Sequence, residues 1–226
     1  MNFSFLKNYY TFFLDGAKIT LLLSIFTIFL GAIFGICLAL MRISHNPILK
    51  AVSAAYIEFI RGTPLMVQLF IVYYGLSFMG IKFPDIPALG SSFPDLMAGV
   101  AALSINSAAY VAEIVRAGIQ AVDKGQMEAA RSLGLNYTMS MKSIILPQAI
   151  KNILPALGNE FISIIKESSI VSIIGIHELM YNTDTVRGNT FRPFEPLIVT
   201  AIVYFIMTFT LSIIIKAFER RLKTSD

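Results

Sequence analysis

Charged side chains interrupt one apolar segment of this chain, between Asn152 and Ile176. A charge within a membrane-length apolar run is costly, so it indicates a functional site by default. At 100° per residue, five polar residues of this segment fall within about 120° of helical arc. These residues are Asn159, Glu160, Ser163, Lys166 and Glu167. This stripe predicts a binding site for a polar solute, although ion pairs that only fix helix packing would leave the same pattern.

A second polar face is predicted on the apolar run that begins at Leu96. The residues on one side of that helix are Ala102, Asn106, Ala109, Tyr110 and Glu113. With a rise of 1.5 Å per residue, Asn106 lies about 16 Å, Lys166 about 15 Å and Gln68 roughly 20 Å from the outer ends of their helices. We therefore expect these three side chains to meet near the middle of the membrane. Glu113 has a simpler alternative, because Arg116 three residues later could pair with it.

Catalytic chemistry has little support in this sequence. The two histidines, His45 and His177, fall in different predicted loops, and the one cysteine, Cys37, lies inside an apolar run. An enzyme would need a nucleophile with a base, or a set of metal ligands, facing one cavity. We therefore predict no catalytic residue, metal site or cofactor in this chain.

The elements that position the polar residues are predicted to be membrane-spanning helices. The chain is 56% hydrophobic and 14% charged, against about 25% charged in soluble proteins. We predict one all-α membrane domain over residues 1–226 with five spans of roughly 20 residues each. The spans are placed at about 17–41, 62–81, 96–119, 151–176 and 196–218. Residues 1–15 are expected to lie along the outer interface, and a bend is expected near Thr63, where a proline follows.

The distribution of Lys and Arg predicts the orientation of the chain. Twelve of the eighteen fall in connections on the side of the C-terminus, five fall on the other side, and Lys166 lies within the membrane. The side richer in Lys and Arg is normally cytoplasmic. We therefore expect the N-terminus outside and the C-terminus in the cytoplasm. The net charge of +4 then reflects topology and does not indicate nucleic acid binding.

The connection at about 120–150 is the longest predicted cytoplasmic loop. Asp123 and Gln126 have the spacing of a capping box, so a helix should begin at about Lys124. Gly134 follows as the residue that can adopt a left-handed conformation beyond the helix end. A second short helix is predicted through Tyr137, Met141 and Ile144, limited by Pro147 or bent there into the fourth span.

This loop carries a spaced motif. It consists of Glu128, Ala129, Ala130, Gly134, Ile144, Leu146 and Pro147. The motif resembles the EAA loop of ABC importer permeases at every defining position. Together with IRGTPLMVQLF and ILPALGNEFISIIKESSIVSIIG, it makes nearly the whole chain similar to the polar amino acid permeases of the histidine, arginine and glutamine uptake systems.

The resemblance implies a type I ABC importer permease fold in the bacterial cytoplasmic membrane. Two permease chains, identical or related, would form the pore, and each EAA helix would be the coupling helix that docks into a cytoplasmic ATPase subunit. A solute-binding protein would deliver the amino acid from outside. ATP and Mg²⁺ would bind to the ATPase subunit, because this chain has no G-x-x-x-x-G-K-[ST] phosphate loop.

For an amino acid substrate, the neighbouring Lys166 and Glu167 would match the carboxylate and the ammonium by charge-assisted hydrogen bonds. Gln68, Asn106, Tyr110, Glu113, Glu160 and Ser163 complete the predicted binding set. Carboxylates outnumber amines within the spans, which favours a neutral-polar or cationic amino acid. The alternative function is an ion-coupled secondary transporter, which would also use a polar site at the midplane. A purely structural subunit is a third reading.

Overall fold

A computed structural model describes residues 1–81, 83 and 93–223 of the chain, and the described residues are helical without strands. Its elements in chain order are α1 (Leu6–Ile43), α2 (Pro47–Arg61), α3 (Leu65–Phe78), α4 (Phe93–Gln120), α5 (Lys124–Ser132), α6 (Tyr137–Ser140), a π-helical turn (Met141–Ile145), α7 (Leu146–Glu167), a 3₁₀ helix (Ser168–Ile174), α8 (Leu179–Thr190) and α9 (Glu195–Lys223). The all-α prediction is confirmed for this part of the chain.

The number of apolar spans differs from the prediction. Among the described residues, α1, α4 and α9 are long and apolar enough to cross a membrane, and α2 with α3 form a fourth candidate with a sharp bend. The predicted count of five is therefore three, or four with the bent pair. The segment 151–176 is not among them, because α7 carries Glu160, Lys166 and Glu167 and continues as a 3₁₀ helix.

The first helix begins earlier than expected. α1 runs without interruption from Leu6, so residues 6–15 are its first turns and do not form a separate interfacial segment. The cause is tertiary packing: Phe5 and Phe13 are buried against Leu179 and Val186 of α8. Helix propensity alone is a weak predictor, and burial of this kind overrides it.

α1 and α4 lie against each other through small residues. A Cβ atom at Gly31 would come within 2.9 Å of Ser107 Cβ, and one at Gly35 within 2.6 Å of Val111 Cβ. Both contacts advance by four residues along each helix, so α1 and α4 run in the same direction. Small side chains are what allow two membrane helices to approach this closely.

The predicted bend near Thr63 is confirmed. α2 ends at Arg61, α3 starts at Leu65, and their axes differ by 109°. Pro64 has an extended conformation before α3, as its fixed φ and missing N–H favour. The three residues between the helices therefore redirect the chain in a single tight turn.

Contacts at the helix ends divide the bundle into two ends. The backbone N–H of Asn2 donates to the Glu195 carboxylate at 3.3 Å, so the N-terminus lies beside the start of α9. His45, just beyond α1, lies edge-on to Tyr137 with ring centroids 6.5 Å apart, which places the loop after α1 beside α6. We call these the Asn2 end and the α5 end. Because α1 and α4 run in parallel, both finish at the α5 end.

Candidate functional site

The polar stripe of α7 lies next to α4. Ser107 of α4 donates a hydrogen bond to Glu160 Oε1 at 3.3 Å. Glu160 and Ser163 are half-buried, whereas Asn159 is exposed. The hydroxyl holds the carboxylate on the α4 side. We call Ser107, Glu160, Ser163, Lys166 and Glu167 the polar face.

Lys166 and Glu167 are exposed at the far end of this face. Neither side chain has a hydrogen bond or an ion pair within 4 Å to any described residue. Within the described residues, neither side chain therefore links α7 to another helix by such a bond. A cation and an anion next to each other can bind the carboxylate and the ammonium of a zwitterion.

Gln68 and Asn106 meet as predicted, but they are occupied by each other and by the backbone. Asn106 Nδ2 donates to Gln68 Oε1 at 2.8 Å, and the two residues are 6% and 4% exposed. Gln68 Nε2 donates to the Ile60 carbonyl at 2.7 Å and to Thr63 Oγ1 at 2.8 Å. This geometry ties the bend between α2 and α3 to α4, and it leaves little of either amide for a solute.

Glu113 is bound by arginines. Arg116 donates two hydrogen bonds to it, Nε to Oε1 at 3.0 Å and Nη2 to Oε2 at 2.7 Å. The alternative prediction, in which Glu113 pairs with Arg116 three residues later, is therefore confirmed. Arg61 adds a longer contact of 3.8 Å. The Arg61 guanidinium also lies over the Tyr110 ring, 5.8 Å from its centroid, within the range of a cation–π interaction.

Arg61 was not among the predicted site residues, because an arginine near a helix end usually anchors the helix at the interface. Its side chain is partly exposed and has a neighbouring aromatic ring in place of a close carboxylate partner. The signal in the sequence was its place beside Gly62 and Pro64, since a bend brings the end of α2 into the bundle. Because its contact with Glu113 is long and its side chain is partly exposed, this guanidinium can also bind a second carboxylate.

The first helix of the 120–150 loop begins and ends where predicted, although its cap uses the Gly125 N–H in place of the Gln126 N–H of the predicted capping box. Asp123 accepts from the Gly125 N–H at 2.6 Å and caps α5, which begins at Lys124. Gly134 has φ +86°, and the Leu135 N–H returns to the Ala130 carbonyl at 3.1 Å. This is the hydrogen-bond pattern of a helix closed by a left-handed glycine.

The second predicted helix is not a separate element. α6, the π-helical turn and α7 follow one another without an interruption from Tyr137 to Glu167. Pro147 does not end the helix; it lies at the start of α7, directly after the π-helical turn. No residue pattern predicted the π-helical turn, because such a turn depends on hydrogen-bond register and not on residue type. Ile144 is half-buried on this turn and Leu146 is exposed.

One side of the loop contacts the bundle and the other is exposed. Ala130 is buried, and Met127 packs against the core near Val122 and Ile145. Several residues of the loop are exposed; five of them, Glu128, Ala129, Leu133, Tyr137 and Met139, are what we call the loop surface. Leu133 is 83% exposed. Apolar side chains gathered at one exposed place indicate a protein–protein contact, and the last three were not predicted as site residues.

The buried carboxylate of Glu178 was not predicted as a structural or functional residue. Glu178 is fully buried; it accepts from the Met180 and Tyr181 N–H groups at 2.9 and 2.8 Å and from the Tyr204 hydroxyl at 3.0 Å. It therefore caps α8 and joins it to α9. His177 and Glu178 do not form a metal site, and no cluster of three or more His, Cys, Asp or Glu suited to a metal occurs in the described ranges.

Comparison with known proteins identifies the family. Residues 19–224 match the family described as "Binding-protein-dependent transport system inner membrane component". The chain is 44% identical over 215 residues to the arginine transport system permease protein ArtQ of Bacillus subtilis (strain 168), covering 95% of this chain and 94% of the relative. It is 42% identical over 214 residues to the putative glutamine transport system permease protein GlnP of Rickettsia bellii (strain RML369-C), covering 95% and 94%.

Solved structures agree with the fold. A chain from the crystal structure of an amino acid ABC transporter with histidines is 50% identical and superposes with a TM-score of 0.88, covering 98% of this chain and 100% of that one. A chain of the methionine ABC transporter MetNI, inward facing, matches with a TM-score of 0.76 at 17% identity, covering 98% and 99%. This chain belongs to the family of inner membrane components of binding-protein-dependent transport systems.

Proposed function

We propose that this chain is the permease subunit of an ATP-driven importer and forms the translocation path for a polar amino acid by alternating access. The observation that carries the proposal is the loop surface, where Ala129 and the apolar side chain of Leu133 are exposed at a helix that contacts the bundle through Met127 and Ala130. ATP with Mg²⁺ acts on a separate ATPase subunit that docks there. The other partners are a second permease chain, identical or related, and a solute-binding protein outside the membrane.

In this proposal α7 with its 3₁₀ extension also lies within the bacterial cytoplasmic membrane, beside the apolar spans α1, α4 and α9 and the bent pair of α2 and α3. A helix with one polar side can cross a membrane when that side faces protein or a water-filled path. The α5 end lies in the cytoplasm and the Asn2 end outside, which the excess of Lys and Arg at the α5 end supports. Residues 1–226 act as one transmembrane unit.

The continuous stretch from α6 to α7 couples the ATPase to the path. When the docked ATPase subunit displaces α5, the π-helical turn moves with it, because Met127 of α5 packs near Ile145 of that turn. This turn leads directly into α7. α7 carries Glu160, Lys166 and Glu167, so the movement reorients the polar face. Small shifts at one site become larger switches when packed elements have two discrete arrangements.

The polar face selects the substrate. The polar face contains two carboxylates, Glu160 and Glu167, and one lysine, Lys166, and this excess of negative groups favours a cationic or neutral-polar amino acid. The names of the relatives, which concern arginine and glutamine, agree with this class. Arg61 and Lys166 are the groups available to the substrate carboxylate. Gln68 and Asn106 contribute by holding the bend in place.

A matched pair of substitutions tests the coupling role. Ala129→Leu enlarges an exposed residue of the loop surface, and Ala201→Leu makes the same change at an exposed position of α9. We expect Ala129→Leu to lower both ATPase retention and uptake at least tenfold, since a buried socket does not accept the added atoms. Ala201→Leu should leave both unchanged. Normal retention and uptake with Ala129→Leu would contradict the docking proposal.

Reconstituted vesicles test the energy source and the substrate site. Uptake should require ATP and persist without an ion gradient; the reverse result would favour a secondary transporter. Glu160→Gln keeps the shape and the Ser107 hydrogen bond while removing the charge, so arginine uptake should fall about tenfold or more while glutamine uptake changes less. Lys166→Ala and Glu167→Ala should each lower uptake per ATP. If neither changes it, the two residues do not contact substrate.

A further inference from the structure

A basic pocket lies between α1, α2 and α4 at the α5 end of the bundle. It has a volume of about 400 Å³, and its lining includes Arg42, Lys50, Arg116 and Gln120. Arg116 is occupied by Glu113 and also donates to Gln120 at 2.6 Å. Arg42 is half-buried and Lys50 is exposed.

The pocket has more positive charge than its carboxylates balance. Glu113 is the acidic group within ion-pair distance of Arg116 and Arg61. Arg42 and Lys50 form no ion pair within 4 Å with any described carboxylate. Two cationic side chains in one pocket therefore lack an anion of their own, and basic pockets between membrane helices are typical sites for anionic lipid headgroups.

An apolar groove of about 310 Å³ lies between the same three helices. Its walls include Phe34, Leu38 and Met41 of α1, Tyr56 of α2 and Ile105 of α4. The Tyr56 hydroxyl, the one polar atom of that side chain, donates to the Ile105 carbonyl at 2.7 Å and is therefore already hydrogen-bonded. Phe34 is 55% exposed, so the groove opens on the outer surface of α1.

The groove and the pocket are aligned along the helices. Leu38 and Arg42 are four residues apart on α1, on one helix face. Ile105 and Arg116 are eleven residues apart on α4, which is about 20° in azimuth and about 16 Å along the axis. One leaflet of a bilayer is about 15 Å of hydrocarbon, half of the ~30 Å core. The groove thus runs from the basic pocket inward over one leaflet.

We propose that the groove and the pocket together bind one anionic phospholipid, with its phosphate on Arg42 and Lys50 and one acyl chain along Phe34, Leu38 and Ile105. A soluble anion would use the pocket but not the groove, and a zwitterionic lipid would leave the two cations unbalanced. The site is separate from the polar face and does not depend on the proposed transport function.

Native mass spectrometry of the complete transporter tests this proposal. The complex is placed in nanodiscs of equal parts phosphatidylglycerol and phosphatidylcholine, and the ratio of retained lipids is compared with the bulk ratio. We expect enrichment of phosphatidylglycerol. Arg42→Gln and Lys50→Gln should each lower this enrichment about fivefold, because one basic residue near the membrane surface raises the affinity for an anionic lipid by about that factor. Lys216→Gln, an exposed charge of α9 outside the pocket, is the matched control and should change nothing.

The apolar half is tested with Cys37→Trp. Cys37 is exposed and lines the groove, so the larger side chain fills the groove and leaves the charges in place. Enrichment should fall with this variant too, and excess inorganic phosphate should not reproduce the loss. If Cys37→Trp has no effect while phosphate competes, the pocket binds a free anion and the proposal is wrong.

Two further results would overturn the lipid assignment. An equal loss with Lys216→Gln would mean general surface electrostatics. Loss of the ATPase subunit from the Arg42→Gln and Lys50→Gln complexes, with the lipid ratio unchanged, would mean a protein contact. Because Lys50 is exposed, its variant remains informative even if Arg42→Gln impairs folding. Uptake is not part of the readout, so failure of the transport proposal leaves this result interpretable.

Discussion

The hydrogen bond between Asn106 and Gln68 allows a direct test of whether these residues hold the bend or contact a solute. In Asn106→Ala, Gln68 Oε1 loses its partner at 2.8 Å while remaining buried. An unsatisfied buried acceptor costs about 1–3 kcal/mol, whereas hydrogen bonds between membrane helices average about 0.6 kcal/mol. We therefore expect a loss of about 1–2 kcal/mol of stability.

Gln68→Met should cost about twice as much. This change keeps the approximate volume but removes the donor to the Ile60 carbonyl and to Thr63 Oγ1 as well as the acceptor for Asn106. Two buried residues, Ile60 and Asn106, then each lose a hydrogen-bond partner, and the half-buried Thr63 hydroxyl loses one of its two. At about 2–4 °C for each kcal/mol in a chain of this size, Asn106→Ala should lower the melting temperature by several degrees and Gln68→Met by more.

The assay is thermal denaturation of the detergent-solubilised complex, combined with the KM of uptake. Asn159→Ala is the matched control, because this amide is exposed on α7 and surface substitutions usually stay within about 0.5 kcal/mol. The structural role predicts a lower melting temperature with little change in KM. An unchanged melting temperature together with a tenfold higher KM for Asn106→Ala would refute it and restore the solute-contact reading.

Three other substitutions have clear expected outcomes. Gly118→Ala places a Cβ 2.3 Å from Ile153 Cγ1 and should lower stability by about 1–3 kcal/mol. Adding Ile153→Ala to the same chain should recover part of the lost melting temperature. If it recovers nothing, the loss does not come from this contact. Gly134→Ala forces a side chain into φ +86° at about 1–2 kcal/mol, so ATPase retention in pull-downs should fall, whereas unchanged retention would show that the turn is not needed. Glu178→Gln weakens the cap of α8 and should lower the melting temperature by a few degrees with unchanged KM; a raised KM would place Glu178 on the solute path.

Features that depend on nearby residues were predictable from the sequence. The start of α5 at Lys124, the left-handed Gly134 and the bend at Thr63 follow from the local chemistry of Asp, Gly and Pro. The pairing of Glu113 with Arg116 follows from a spacing of three residues. Each involves atoms within one or two helical turns, so no knowledge of the tertiary structure was needed.

Features that depend on distant partners were not predictable. Glu178 accepts from Tyr204, 26 residues away, and lies 3.4 Å from Thr20 Oγ1, 158 residues away. The early start of α1 depends on burial of Phe5 and Phe13 beneath α8. The exposed state of Lys166 and the occupied state of Gln68 are likewise properties of the packed bundle. Residue spacing predicts which side chains share a helix face, but only tertiary contacts decide which of their polar groups already have hydrogen-bond partners.

α7 is the element on which the two functional surfaces converge. Two glycines bring its apolar sides against the rest of the bundle, since Gly118 of α4 faces Ile153 of α7, and Gly158 of α7 faces Ile215 of α9. A Cβ at either glycine would come within 2.8 Å of its neighbour. With two sides fixed in this way, α7 has Lys166 and Glu167 exposed among the residues that the structure describes. Its N-terminal end continues from the π-helical turn beside α5, so the proposed coupling between the loop surface and the polar face needs only one helix.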